Sequence, residues 1–157
     1  MKKLMLLAGL CGLLLSVYAA SAGPLVKIPA APISASDRAK AHFSENYSEV
    51  QDVNWYTATD NRIYCIFHQG RKTNRVFYDN QGYWQCTIVS YPPSGLNKKI
   101  KDIVSGHFPG YDISYVNEVR SEYEEPVYMI NIQDAANIKV IKVVGEEFEV
   151  KQSLSKQ

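Results

Sequence analysis

Apolar residues change their period along this chain, from every fourth position to every second position, and then repeat the change. Ala39, Phe43 and Tyr47 recur at four-residue spacing, which predicts a helix over roughly 34–47. Ser34 or Ser36 can cap it, and Asp37 in the first turn complements the helix dipole. Alternation then predicts strands near 53–57, 62–67, 74–78 and 83–90. Thr59-Asp60-Asn61, Gln69-Gly70-Arg71 and Asp79-Asn80-Gln81-Gly82 separate them as turns. Connections this short join antiparallel neighbours. Pro92-Pro93-Ser94 breaks the series and opens a second helix, about 94–107, with Leu96, Ile100, Ile103 and Val104 on one face. Pro109-Gly110 ends it. Strands return at 113–119, 127–132, 138–143 and 148–151, and Gly145 marks the last turn.

The order is therefore helix, strands, helix, strands. Ala41-His42-Phe43 and Gly106-His107-Phe108 each close a helix, at an offset of 65 residues. The same offset carries Ile63-Cys65-Phe67 onto Tyr128-Ile130-Ile132. This shared register predicts an internal duplication: an α+β chain of two tandem helix-plus-antiparallel-sheet units, 34–93 and 94–151, with a flexible tail at 152–157.

The N-terminus reads as a secretory signal peptide over 1–22. Lys2 and Lys3 precede the apolar run Leu4 to Val17, and Ala20-Ser21-Ala22 supplies the small-x-small pattern for cleavage after Ala22. The run is too short for a permanent span, which needs about 20 apolar residues. Cys11 raises lipidation as a competing reading, but Ala8-Gly9-Leu10 places a bulky Leu where a lipoprotein signal needs a small residue. Pro24, Pro29 and Pro32 make residues 23–33 an extended tether. Cleavage removes two lysines and no acid, so the formal charge moves from +1 to −1. That balance argues against nucleic acid or an anionic membrane surface as partner. Lys98, Lys99 and Lys101 read as a solvated helix face. No second long apolar run follows, so the mature chain is expected to be soluble, without a transmembrane segment.

The arrangement Phe43 … Val53-Asn54-Trp55 … Cys65-Ile66-Phe67 … Val76-Phe77-Tyr78-Asp79-Asn80-Gln81-Gly82-Tyr83-Trp84 resembles the periplasmic PepSY-like family, also called β-lactamase-inhibitor-like, of Bacteroides and relatives. The likeness continues through Ser94-Gly95-Leu96 and Phe108-Pro109-Gly110-Tyr111 and covers about residues 38 to 151. The resemblance implies two tandem helix-plus-sheet units and a periplasmic location. It implies no catalytic residues, because that family has none established. The secreted β-lactamase inhibitors are similar in architecture and grip their partner with aromatic side chains on concave sheet faces. A shared fold alone does not carry that function across.

Candidate chemistry is sparse. His42, His68 and His107 lack the close His spacing of a zinc site. Asp79-Asn80-Gln81-Gly82 lacks the alternating acids and terminal Glu of a calcium loop and reads as a hairpin turn. Cys65 lies between Tyr64 and Ile66 in a strand, where a thiol is buried and inert. Ser94-Gly95 reads as a helix cap, and the pairs Glu124-Glu125 and Glu146-Glu147 as solvated turns. No metal, cofactor or catalytic residue is assigned. Cys65 and Cys86 fall in strands two apart, about 9–10 Å between Cα atoms, beyond the roughly 7 Å a disulfide spans, so free buried thiols are expected.

The informative excess is aromatic: eleven tyrosines, two tryptophans and five phenylalanines. Alternation in the second strand puts Ile63, Cys65 and Phe67 on one face and Tyr64, Ile66 and His68 on the other. Helices cover one face of an antiparallel sheet, so the second group is the candidate binding surface. The chain is expected to be a non-enzymatic periplasmic binding module, its ligand an unidentified protein or peptide on the open sheet face. An accessory cell-envelope protein and an inhibitor of a secreted or periplasmic enzyme are the alternatives.

Overall fold

The computed structural model describes residues 34–122 and 124–156. The expected signal peptide at 1–22 and tether at 23–33 lie outside the described residues. The elements are α1 (Ala35–Asn46), β1 (Val53–Thr57), β2 (Ile63–Gln69), β3 (Lys72–Tyr78), β4 (Trp84–Tyr91), a 3-10 turn at Pro93–Gly95, α2 (Lys98–His107), β5 (Asp112–Ser121), β6 (Val127–Gln133), β7 (Asn137–Val144) and β8 (Glu147–Ser155).

Local chemistry sets the boundaries. Ser34 caps α1, its hydroxyl accepting from the Asp37 amide at 3.1 Å. The second helix starts later than its sequence pattern indicates. Asn97, not Ser94, caps α2 by accepting from the Ile100 amide at 2.9 Å. Ser94-Gly95 instead sits in the 3-10 turn, and Leu96 is extended. The β3–β4 hairpin is held by Asp79, whose Oδ1 accepts from the amides of Gln81 and Tyr83, each at 2.9 Å. Gly82 closes that turn at φ +84°, and a Cβ there would meet the Ala35 carbonyl oxygen at 2.1 Å. The turn therefore packs directly on the start of α1 because residue 82 is glycine.

The two expected tandem units are not what forms. All strands join one eight-stranded antiparallel sheet in sequence order, β1 to β8. β4 and β5 pair from Cys86↔Ser121 to Tyr91↔Val116 and fuse the halves. The physical reason is the edge: two separate four-stranded sheets would leave β4 and β5 each with a row of unpaired backbone groups. The crossover through α2 brings β5 back antiparallel along β4 and satisfies both rows. The final strand also runs to Ser155, so most of the expected tail at 152–157 is strand. Its pairing continues through Gln152, Ser153, Leu154 and Ser155 against β7, past a bulge at Val140/Ile141.

Both helices cover the same sheet face. α1 buries Ala39 and Phe43 against Ile63, Cys65, Phe67, Val76 and Tyr78. α2 buries Ile100 and Val104 against Val89, Tyr91, Val116, Ile130, Ile132, Ile141 and Val143. The register links these residues in rows, for example Tyr91↔Val116↔Ile130↔Ile141. Between the two cores the same face turns polar: Asn74, Thr87 and Glu118 are buried there. Glu118 accepts from the Tyr91 hydroxyl at 2.7 Å and from Arg120 Nε at 2.6 Å. Burial pushes the Glu118 carboxyl up, but the hydrogen bonds from Arg120 and Tyr91 outweigh it and hold it below its usual range.

Candidate functional site

Among the described residues, no helix covers the opposite sheet face. Tyr64 and Ile66 lie on it half-buried, and His68 lies on it exposed. Register sets their neighbours. Tyr56↔Tyr64↔Phe77↔Cys86 forms one row. In it Tyr56 stacks on Tyr64 at 5.0 Å between centroids, and Tyr64 stacks on Phe77 at 5.7 Å. The next row runs Asn54↔Ile66↔Arg75↔Ile88↔Val119↔Val127↔Val144 across seven strands. Ile66, Ile88, Val119, Val127 and Val144 are all half-buried, so the row is a shallow apolar strip from Ile88 to Val144, with Arg75 standing between it and Ile66.

His68 belongs to a third, polar row, His68↔Thr73↔Ser90↔Asn117. Its Nδ1 lies 3.2 Å from the Thr73 hydroxyl. Arg75 reaches into the same row and donates to Ser90 Oγ at 3.2 Å, and Ser90 donates on to Asn117 Oδ1 at 2.7 Å. The three residues singled out by alternation thus share a face but divide between an aromatic row, an apolar row and a polar one. Tyr56, Phe77, Ile88 and Val119 complete the surface. Strand parity gives each one's face, but only inter-strand register makes them neighbours.

The chemistry of this face is contact rather than catalysis. It offers stacked rings, branched aliphatics and a fixed guanidinium. Among the described residues, no group of three or more His, Cys, Asp and Glu side chains is placed to hold a metal ion. Cys65 is fully buried on the helix face and Cys86 is half-buried on the open face, both free, with β3 between their strands. Burial pushes the Cys65 thiol up to about 12 and raises that of Cys86 as well.

No family model matches the chain. No curated protein matches it either. Solved structures do. A DUF2874 family protein from Bacteroides ovatus is similar with a TM-score of 0.61 at 14% identity, covering 75% of this chain and 85% of that one. A BLIP-like protein from Bacteroides fragilis gives 0.61 at 7% identity, covering 75% and 84%. A protein from Bacteroides eggerthii, provisionally described as periplasmic, gives 0.60 at 12% identity, covering 76% and 87%. At these identities the likeness establishes the fold. That fold is the one of DUF2874 and BLIP-like proteins of Bacteroides, and none of these neighbours is described as PepSY-like. No helix among the described residues is long and apolar enough to cross a membrane.

Proposed function

We propose that this chain is a non-enzymatic binding module of the periplasm that engages a protein or peptide on its open sheet face. The observation that carries the reading is the stacked, partly exposed row of Tyr56, Tyr64 and Phe77 beside Ile66 and, across Arg75, the Ile88–Val119 strip. Rigid aromatic groups next to an apolar strip and a polar rim have the anatomy of a protein-recognition patch. The periplasmic description of one structural neighbour and the PepSY-like resemblance support the location. A second reading, inhibition of a secreted or periplasmic enzyme, is favoured by the BLIP-like neighbour. It differs from the first only in what the partner does.

The test is capture from a periplasmic extract with the purified protein as bait, followed by titration of the captured partner. Tyr64→Ala is expected to weaken binding by about 2 kcal/mol or more. It should cost folding only about 1 kcal/mol, because the ring is half-exposed and held by cross-strand stacking. Capture unchanged by Tyr64→Ala and by Ile66→Asp would move the binding surface off this face. A captured enzyme whose activity falls on binding would select the inhibitor reading.

A further inference from the structure

The helix-bearing face is not fully roofed. Beside α1, over the β4–β5 seam, lies a cleft of about 290 Å³ bordered by His42, Asn46, Tyr47, Trp84 and Arg120. That volume is at the small end for ligand sites. Its floor is polar yet buried: Asn74 is 4% exposed and Thr87 3%. Burying polar side chains is costly unless they are bonded, so their placement here calls for an account.

Thr87 is satisfied inside the protein. Its hydroxyl lies 3.1 Å from both Trp84 Nε1 and the Tyr47 hydroxyl, which locks the two rings as a wall. His42 stacks on Trp84, with ring centroids 5.9 Å apart and the planes nearly parallel. Asn74 leaves no buried polar atom without a partner, but its oxygen is open to the cleft. Its amide donates to Gln69 Oε1 at 3.4 Å, and its carbonyl oxygen accepts from no described residue. Arg120 is half used. Its Nε donates to Glu118, while its two terminal amino groups bond no described residue. Lys72 lies near Glu118 as well, with its ammonium over the Tyr91 ring at 5.7 Å. The buried acid thus faces two cations, while on the α1 side Glu45 acts on His42.

We propose that this cleft binds a small organic carboxylate, held by the terminal amino groups of Arg120, with its apolar or aromatic body against Trp84 and Tyr47. A guanidinium already fixed by one carboxylate is pre-oriented for a second, planar and bidentate one. Asn74 supplies an acceptor at the floor for an amide or ammonium on the same ligand. The volume suits a ligand of single amino-acid size, either free or as the last residue of a peptide. This site lies on the face opposite to the proposed protein-binding surface and stands independently of it.

The experiment is a titration of N-acetyl-phenylalanine into the purified ¹⁵N-labelled protein, followed by amide spectra. Shifts are expected at 42–47, 84–89 and 118–120, with a dissociation constant on the order of 1 mM. N-acetyl-phenylalanine amide, which lacks the charge, is expected to bind at least about tenfold more weakly. Arg120→Gln should abolish the preference for acid over amide, and Arg120→Lys should retain part of it. A pentapeptide ending in a free phenylalanine carboxylate separates the two sources. Affinity well above that of the capped amino acid assigns the cleft to a chain terminus, and equal affinity assigns it to a free acid. Absence of shifts, equal binding of acid and amide by the unaltered protein, or shifts centred on Tyr56 and Phe77 would overturn the proposal. The acid-against-amide comparison needs no variant, so a folding defect in Arg120→Gln would not obscure the result.

Discussion

Under α1 the sheet presents Phe67 and Trp55 to Phe43, with Tyr78 against Trp55 and His42, whereas under α2 it presents Ile130, Ile132, Ile141 and Val143 to the cluster that holds Ile100 and Val104. The first core is the richer in rings, and the second is mostly branched aliphatics with Tyr91 among them. The helices explain the difference. α1 buries only Ala39 and Phe43, so one large side chain must reach the sheet and be met by large ones. Phe43 lies 5.0–5.5 Å from the rings of Tyr47, Trp55 and Phe67. α2 spreads its contact over Ile100 and Val104, with Leu96 before it and Ile103 half-buried beside them. A helix with a thin apolar stripe is docked by one anchor, and a helix with a broad stripe by several. β4 serves both cores, giving Trp84 to the first and Val89 and Tyr91 to the second.

Removing the single anchor is the strongest way to break this contrast. Phe43→Ala is expected to cost about 3–5 kcal/mol in a denaturant titration. A loss below about 1 kcal/mol would mean that α1 is held elsewhere. Gly82→Ala attacks the same helix from its start. The positive φ alone costs about 1–3 kcal/mol, and the contact with the Ala35 carbonyl adds to it. A variant as stable as the parent would show that the turn and α1 do not touch. On the aliphatic side Ile100→Val is expected to cost only about 0.5–1.5 kcal/mol, its neighbours sharing the load. A cost equal to that of Phe43→Ala would erase the distinction between the two cores.

The smallest effect concerns the thiols. In the native protein a maleimide should label Cys86 slowly and Cys65 only on unfolding, as measured by intact mass. The unfolded Cys65 thiol titrates near 9.0 and the folded one near 12. Between these values the unfolded chain releases a proton that the native chain keeps. Its contribution therefore makes stability fall as pH rises above about 9. Native labelling of Cys65 as fast as Cys86 would place it on the wrong face.

Most of the elements were legible because their signals are local. The Ala39–Phe43 spacing, the alternation through Ile63–Cys65–Phe67 and the Asp79–Gly82 turn each act within a few residues. The pairing of β4 with β5 was not, because nothing local distinguishes an edge strand of a finished sheet from one that waits for a partner across a helix. The matched offset between Phe43 and Phe108 is silent on that pairing for the same reason: it relates elements, not their joining. At the candidate surface, parity gave the face of Tyr64, Ile66 and His68. It could not give the stacking with Tyr56 and Phe77, which depends on three strands in register. The buried Asn74, Thr87 and Glu118 looked like ordinary polar strand residues, since burial at a seam has no sequence pattern of its own.

The unbroken strand order has a kinetic consequence. Every strand pairs with its neighbour in the chain, and six of the seven pairings close across a short turn. Only β4 and β5 must meet across the intervening helix, where Tyr91 finds Val116. Local pairings close faster than non-local ones, because the closure entropy of the longer excursion must be met before its contacts form. The sheet can therefore assemble as two four-stranded ribbons that grow independently. Meeting at the seam is then expected to follow the local pairings, joining the Tyr91 hydroxyl to Glu118 and the two halves into one sheet.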